Sequence, residues 1–110
     1  MKYKIEISLS ASRDLREAAA YIAVQLRNPS AGRKLIGNAI DRIDSLEEFP
    51  MRYPLVQDSL LSAYQLRLAP VQNYLLFYQI DESSQIVHII RFLYGKSDWT
   101  SVLKAELPLS

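Results

Sequence analysis

The hydrophobic period changes twice along this chain, and each change restricts what the segment can become. Tyr3, Ile5, Ile7 and Leu9 alternate with Lys2, Lys4, Glu6 and Ser8, the two-residue period of a strand with one buried and one wet face. The spacing then lengthens. Leu15, Ala19, Ile22 and Leu26 form one helical stripe, and Leu35, Ile36, Ala39, Ile40, Ile43 and Leu46 form a second. Beyond the second stripe the period shortens again, in strand-like segments about Ala63 to Ala69, Asn73 to Ile80 and Ile86 to Tyr94.

Local chemistry marks the boundaries. Ser10 or Ser12 can cap the first helix, because a short hydroxyl accepts from the free N–H groups of the first turn, and Asp14 suits the helix dipole there. Asn28-Pro29 reads as a cap followed by proline at the first helical position, and Pro50 closes the second helix. Only a tight turn near Arg27-Asn28 separates the helices, which predicts an antiparallel helical hairpin. Residues 49 to 62 read as an irregular connection punctuated by Pro50 and Pro54, and turns are expected at Pro70 and at Asp81-Glu82-Ser83-Ser84.

These elements fit one α+β domain over residues 1–110, with no repeat or linker. If the first strand runs up, the hairpin returns the chain to the top, so the later strands run down, up and down. The fourth can then pair antiparallel with the first, giving the order 1-4-3-2. Edge and centre agree with this. The first two strands alternate, whereas Tyr74-Leu75-Leu76-Phe77-Tyr78 and Ile86 to Tyr94 are apolar on both faces. The expectation is β-α-α-β-β-β, with the hairpin packed on one face of a four-stranded antiparallel sheet.

Composition removes several function classes. The chain has no cysteine and a single histidine, His88, so it has neither thiolates nor clustered imidazoles for a metal site, and no cofactor is expected. The longest apolar runs are strand-sized and the N-terminus already reads as a strand, so neither a membrane span nor a signal peptide is expected and the address is cytoplasmic. With 13 basic and 12 acidic residues the formal net charge is +1, and any attraction to nucleic acid must be local.

Alternation then assigns faces. Tyr64, Leu66 and Leu68 are expected toward the helices, which leaves Gln65 and Arg67 on the open face. In the fourth strand either Arg91 or His88 must turn inward. Burying an unpaired guanidinium costs far more than burying an imidazole, so Arg91 is expected on the open face and His88 in the core. The same parity places Val87, Ile89 and Leu93 beside Arg91, with Leu75 and Phe77 on the third strand. Such an apolar band needs a cover: the C-terminal segment with Trp99, Val102 and Leu103, a partner, or both.

The order and spacing of these residues resemble toxins of the RelE/ParE superfamily of bacterial type II toxin–antitoxin systems. The resemblance runs through Asp14-Leu15, Tyr21-Ile22, Pro29 with Ala31, and Ile43 through Leu46 to Phe49-Pro50. It continues with Arg67-Leu68, Asn73 to Tyr78, and Val87 through Arg91 to Leu93-Tyr94-Gly95-Lys96-Ser97-Asp98-Trp99. It implies a growth-inhibiting, plasmid-stabilising toxin neutralised by a cognate antitoxin. ParE-like members of this superfamily poison DNA gyrase, and RelE-like members cleave messenger RNA in the ribosomal A site.

The nuclease branch uses cations and a terminal tyrosine to stabilise charge and move a proton. Here Leu75 stands where that branch has an arginine after the third-strand tyrosine. Lys96 and Ser97 stand in place of arginines after the glycine, and Trp99 replaces the tyrosine. Indole is not a general acid or base at neutral pH. The resemblance therefore favours the ParE branch, with Arg67, Arg91, Tyr94 and Lys96 as the catalytic candidates if the chain is a nuclease. Arg67, Leu75, Phe77, Arg91, Leu93 and Trp99 are the candidates for target or antitoxin contact. A third reading is an inactive module that only binds antitoxin. For each residue there is also a structural role: Arg67 paired with a carboxylate, Lys96 with Asp98, Trp99 as an anchor for the tail.

Overall fold

The computed structural model describes residues 2–108. The described elements are β1 (Lys4–Ile7), α1 (Leu9–Ala20), α2 (Pro29–Ser45), α3 (Ser59–Ala63), β2 (Arg67–Val71), β3 (Tyr74–Asp81), β4 (Ile86–Tyr94) and α4 (Trp99–Lys104). Ser8 caps α1, ahead of the Ser10 or Ser12 that the sequence suggested: its hydroxyl accepts from Ala11 N–H at 2.9 Å and donates to Ile90 C=O at 2.9 Å. Leu9 therefore opens the helix instead of ending the strand, and is largely exposed. Beyond α1 the chain widens into a π-helical turn, Tyr21–Gln25, which leaves Tyr21, Val24 and Leu26 exposed. Asn28 caps α2 through Ala31 N–H at 3.1 Å, with Pro29 in the first turn, as the sequence predicts.

The hairpin packs closely. Gly32 of α2 sits where a Cβ would lie 2.8 Å from the Ala19 carbonyl oxygen of α1. Ala11, Leu15 and Ala18 of α1 and Leu35, Ala39 and Ile43 of α2 are buried against Ala69, Val71, Leu76, Tyr78, Val87, Ile89 and Phe92 of the sheet.

The sheet order is β1-β4-β3-β2, as expected, but one pairing differs. β1 and β4 run parallel, with Lys4 opposite Ile86 and Ile7 opposite Ile89, so the sheet is mixed. The cause is a reversal inside residues 49 to 62. Leu55 pairs antiparallel with Arg67, Val56 N–H donates to Leu66 C=O at 2.8 Å, and α3 turns the chain between them. Asp58 caps α3, accepting from Leu60 and Leu61 N–H at 3.0 and 3.1 Å. That additional reversal inverts β2, β3 and β4 together. The expected turn at Pro70 falls instead at Gln72-Asn73. Pro70 lies within edge strand β2, where a missing N–H is tolerated.

The face opposite the hairpin is not open. Val56, Leu61, Leu66, Phe77 and Leu103 are buried there, with Leu68, Leu75, Ile90, Leu93, Trp99 and Leu107 packed on them. The connection carrying α3 and the tail carrying α4 together cover the apolar band, and Phe77 has no exposed surface.

This second layer also corrects the face assignments. Leu66 and Leu68 belong to the α3/α4 side, and Arg67 shares its parity with Ala69 and Val71 on the α2 side. Because both faces bury apolar groups, alternation could not tell one from the other. In β4, Phe77 faces Arg91 while Tyr78 faces Ile89, so Ile90 is the extra residue of a β-bulge. Val87 and Ile89 therefore point to the helices, not beside Arg91. His88 lies on the opposite face, half-exposed, with Nδ1 3.5 Å from Glu6 on β1.

Candidate functional site

The bulge determines the surroundings of Arg91. β1 ends at Ile7, so the edge of β4 beyond Ile89 has no strand partner, and α1 supplies polar groups in its place. Asp14 accepts from the Phe92 backbone N–H at 3.0 Å, and its two oxygens take Arg91 Nε at 2.6 Å and Nη2 at 2.9 Å. Arg91 Nη1 also bonds Glu106 in the tail. The side chains of Arg91 and Asp14 are only 17% and 9% exposed. The hydrogen bonds to Asp14 raise the guanidinium above its ordinary value, against the opposing effect of burial, so the cation is permanent. Arg91 was expected on an open face, free to meet a ligand. It is instead a clip joining α1, β4 and the C-terminal tail, because two carboxylates reach the bulge.

Arg67 is also engaged. Its Nη1 donates to the carbonyls of Tyr53 at 2.6 Å and Met51 at 3.2 Å, fastening the connection to edge strand β2. Tyr94 is 42% exposed and meets the ring of Tyr74 edge-on at 5.5 Å; Tyr74 in turn stacks on Phe92 at 5.0 Å. Tyr21, Leu26, Gln72, Asn73, Tyr74 and Tyr94 line a hollow of about 470 Å³ beside the hairpin tip. Lys96 is exposed and makes no ion pair among the described residues. Asp98 caps α4 through Ser101 N–H at 3.4 Å instead of pairing with Lys96. Trp99 lies against Phe77, ring centres 5.1 Å apart, so its indole holds α4 onto the sheet. Leu75 and Leu93 lie half-buried in that same layer.

The structure thus separates the sequence candidates. Arg67 lies at one sheet edge on the α2 side, Arg91 at the bulge under α1, Tyr94 at the last position of β4 and Lys96 just beyond it. It assembles a different group, which the sequence did not single out. Arg42 of α2 and Arg52 of the connection both lie over the ring of Tyr53, at 5.3 and 5.0 Å from its centre, and Arg42 Nη1 bonds the Tyr53 hydroxyl. Burial pushes the Tyr53 phenol up, but the neighbouring guanidiniums outweigh it and hold the group below its ordinary value. Residues ten apart, on a helix and in a loop, give no local signal that they meet. Among the described residues no group of three or more His, Cys, Asp or Glu side chains could hold a metal, and no helix is long and apolar enough to cross a membrane.

A family model described as the ParE toxin of the type II toxin–antitoxin system parDE matches residues 5–99. The chain belongs to this family of type II toxins. Solved structures share its fold at low identity. A RelBE toxin–antitoxin complex from Mycobacterium tuberculosis matches with a TM-score of 0.62 and 20% identity, covering 86% of this chain and 99% of that one. The chromosomal ParDE toxin–antitoxin system of P. aeruginosa gives 0.70 and 11%, over 86% and 98%. An archaeal RelE–RelB complex from Pyrococcus horikoshii gives 0.56 and 15%, over 87% and 98%. No curated protein matches significantly. The family match extends from β1 to Trp99, so it takes in the bulge, the Asp14–Arg91 pair and the Phe77–Trp99 contact, while Glu106 lies beyond it.

Proposed function

We propose that this ParE-family toxin is held inactive by a cognate antitoxin and, when free, inhibits growth by binding DNA gyrase rather than by cutting RNA. The observation that carries the reading is the dispersal of the nuclease candidates. Cleavage by 2′-hydroxyl attack needs cations and a proton-transfer group within hydrogen-bond reach of one phosphate. Arg91 is neutralised by Asp14 and Glu106, Arg67 is spent on backbone carbonyls on the α2 side, and Trp99 is an anchor without a titratable group. Protein contact suits the molecule better. Tyr21, Val24, Leu26 and Tyr94 form an exposed apolar and aromatic surface around the hairpin tip, the residue types that carry binding energy at protein interfaces. The relatives in solved structures that were captured with antitoxins support such a partner. A flexible antitoxin with an amphipathic helix and an extended arm can cover a surface of this kind while ordering on it.

The test is expression under tight control, with gyrase supercoiling and ribosomal A-site cleavage measured on the same preparation. Growth arrest with loss of supercoiling and intact messenger RNA, relieved by the short protein encoded beside the toxin gene, is the expected result. Cleavage of A-site codons with gyrase untouched overturns the reading in favour of a ribosome-dependent endoribonuclease. Growth, gyrase and translation all unaffected reduce the chain to an antitoxin-binding module.

A further inference from the structure

Three arginines gather around one tyrosine without a carboxylate to neutralise them. Arg42, Arg52 and Arg67 make no ion pair among the described residues, whereas Arg91 and Lys104 are both paired. Their arrangement is built, not incidental. Arg52 Nη1 folds back onto the carbonyls of Ser45 at the end of α2, at 3.1 Å, and of Glu48 just beyond it, at 2.8 Å, and Nη2 bonds Ser45 Oγ at 2.5 Å, so the side chain is held in place with Nε and one Nη2 hydrogen left for a ligand. Arg67 fixes Tyr53 from behind through its carbonyl. Arg42 spends a donor on the Tyr53 hydroxyl, which leaves most of its fork directed at no described partner. Beside this group lies a hollow of about 510 Å³, lined among others by Asn38, Asp41, Arg42, Arg52, Tyr53 and Gln72.

We propose that this hollow is a phosphate-binding site, in which Arg42 and Arg52 clasp a phosphate oxygen pair and Tyr53 O–H donates to a further oxygen. The ligand chemistry follows from the donors. A lone carboxylate offers two oxygens and a single charge, which one guanidinium fork satisfies; the remaining N–H donors of two guanidiniums, a phenol and a third cation behind them suit a tetrahedral group with more oxygens and more charge. Rigid placement adds to this, because donors already held by cation–π contact and by backbone carbonyls lose little freedom on binding. The depressed Tyr53 phenol reports the same positive field. Asp41 lines the hollow and opposes an anion, so it limits affinity. The phosphate can belong to a nucleic-acid strand or to a free nucleotide; the proposal is one of binding without cleavage, so it stands beside the gyrase reading, which the A-site cleavage assay tests separately.

The purified chain is titrated with inorganic phosphate, a nucleoside triphosphate, a short single-stranded RNA and a glutamate-rich peptide of equal charge, at several salt concentrations. Phosphate-bearing probes are expected to bind, inorganic phosphate to compete with them, and the Arg42→Gln, Arg52→Gln pair to weaken binding about tenfold or more, as loss of charge-assisted bonds does. Asp41→Asn should tighten it. Tighter binding of RNA, with a steep salt dependence that flattens in the Arg42→Gln, Arg52→Gln pair, assigns the phosphate to a nucleic acid. Equal binding of the triphosphate and RNA, with little salt dependence, assigns it to a free nucleotide. Arg42→Lys with Arg52→Lys keeps the charge but not the fork and should retain only part of the affinity. Phosphate should also move to higher pH the part of the ultraviolet phenol titration that Tyr53→Phe removes, one of seven tyrosines in the chain. The proposal is overturned if no phosphate probe binds, if the Gln variants bind as well as the parent while folded, or if the acidic peptide binds equally well.

Discussion

Removing Asp14 tests whether the Arg91 clip holds the fold together. In the substitution Asp14→Ala, β4 loses its cap on the Phe92 N–H and Arg91 loses two charge-assisted bonds, while Glu106 remains as a counter-ion. Breaking a buried ion pair by deleting one partner costs roughly 3–5 kcal/mol, and the surviving Glu106 contact places this case near the lower end, about 3 kcal/mol. Against a total stability of roughly 5–15 kcal/mol this is a large fraction. For a domain of this size it lowers Tm by about 10 °C or more. Arg91→Met should cost about 2 kcal/mol, because Asp14 keeps its backbone bond but loses its cation. If the two side chains act as one unit, the double variant falls short of the sum by about 1–2 kcal/mol. Urea unfolding followed by circular dichroism measures all three, with the slope m unchanged. Shifts below about 0.5 kcal/mol for both single variants, the behaviour of ordinary surface residues, would refute the reasoning, as would strict additivity.

Alkali should weaken the fold through Tyr78, whose phenol is pushed up to about 12 by burial while an unfolded chain ionises near 10.0. Its contribution is present below pH 10 and drains away as the pH rises toward 12, so Tyr78→Phe should flatten urea midpoints between pH 8 and 11. The same variant should cost about 1 kcal/mol at neutral pH, because Tyr78 O–H bonds the Pro50 carbonyl. Gly32→Ala should destabilise by about 1–2 kcal/mol through collision with the Ala19 carbonyl, outweighing helix propensity, whereas Gly37→Ala, with nothing within 4 Å, should gain up to about 1 kcal/mol in thermal unfolding. Phe77→Ala should shift the emission of Trp99, the chain's single tryptophan, to the red at a cost of about 3 kcal/mol; unchanged emission would mean that α4 is not anchored through this contact.

How much of this the sequence determined can be read from particular residues. Short-range chemistry was sufficient for the helical hairpin, since Asn28-Pro29 caps and starts α2 whatever lies around it, and for the strand order, since the central strands are apolar on both faces. Trp99 and Leu103 also marked the tail as a cover for the sheet, whereas Val102, expected beside them, stays exposed. Other features depended on groups far apart in sequence. The parallel β1-β4 pairing followed from the reversal at α3, whose signal, Asp58 before Ser59-Leu60-Leu61, was readable but lay in a segment punctuated by prolines. The faces of Arg67, His88 and Arg91 were undetermined locally, because both sides of the sheet are buried and a single extra residue, Ile90, shifts the alternation. The candidate site shows the same division. Arginines and tyrosines are visible in any sequence, but which of them are neutralised depends on what packs beside them. Asp14 and Glu106 come to Arg91 from 77 and 15 residues away and quench it, whereas Arg42 meets the adjacent pair Arg52-Tyr53 only because α2 and the connection close on the same edge of the sheet.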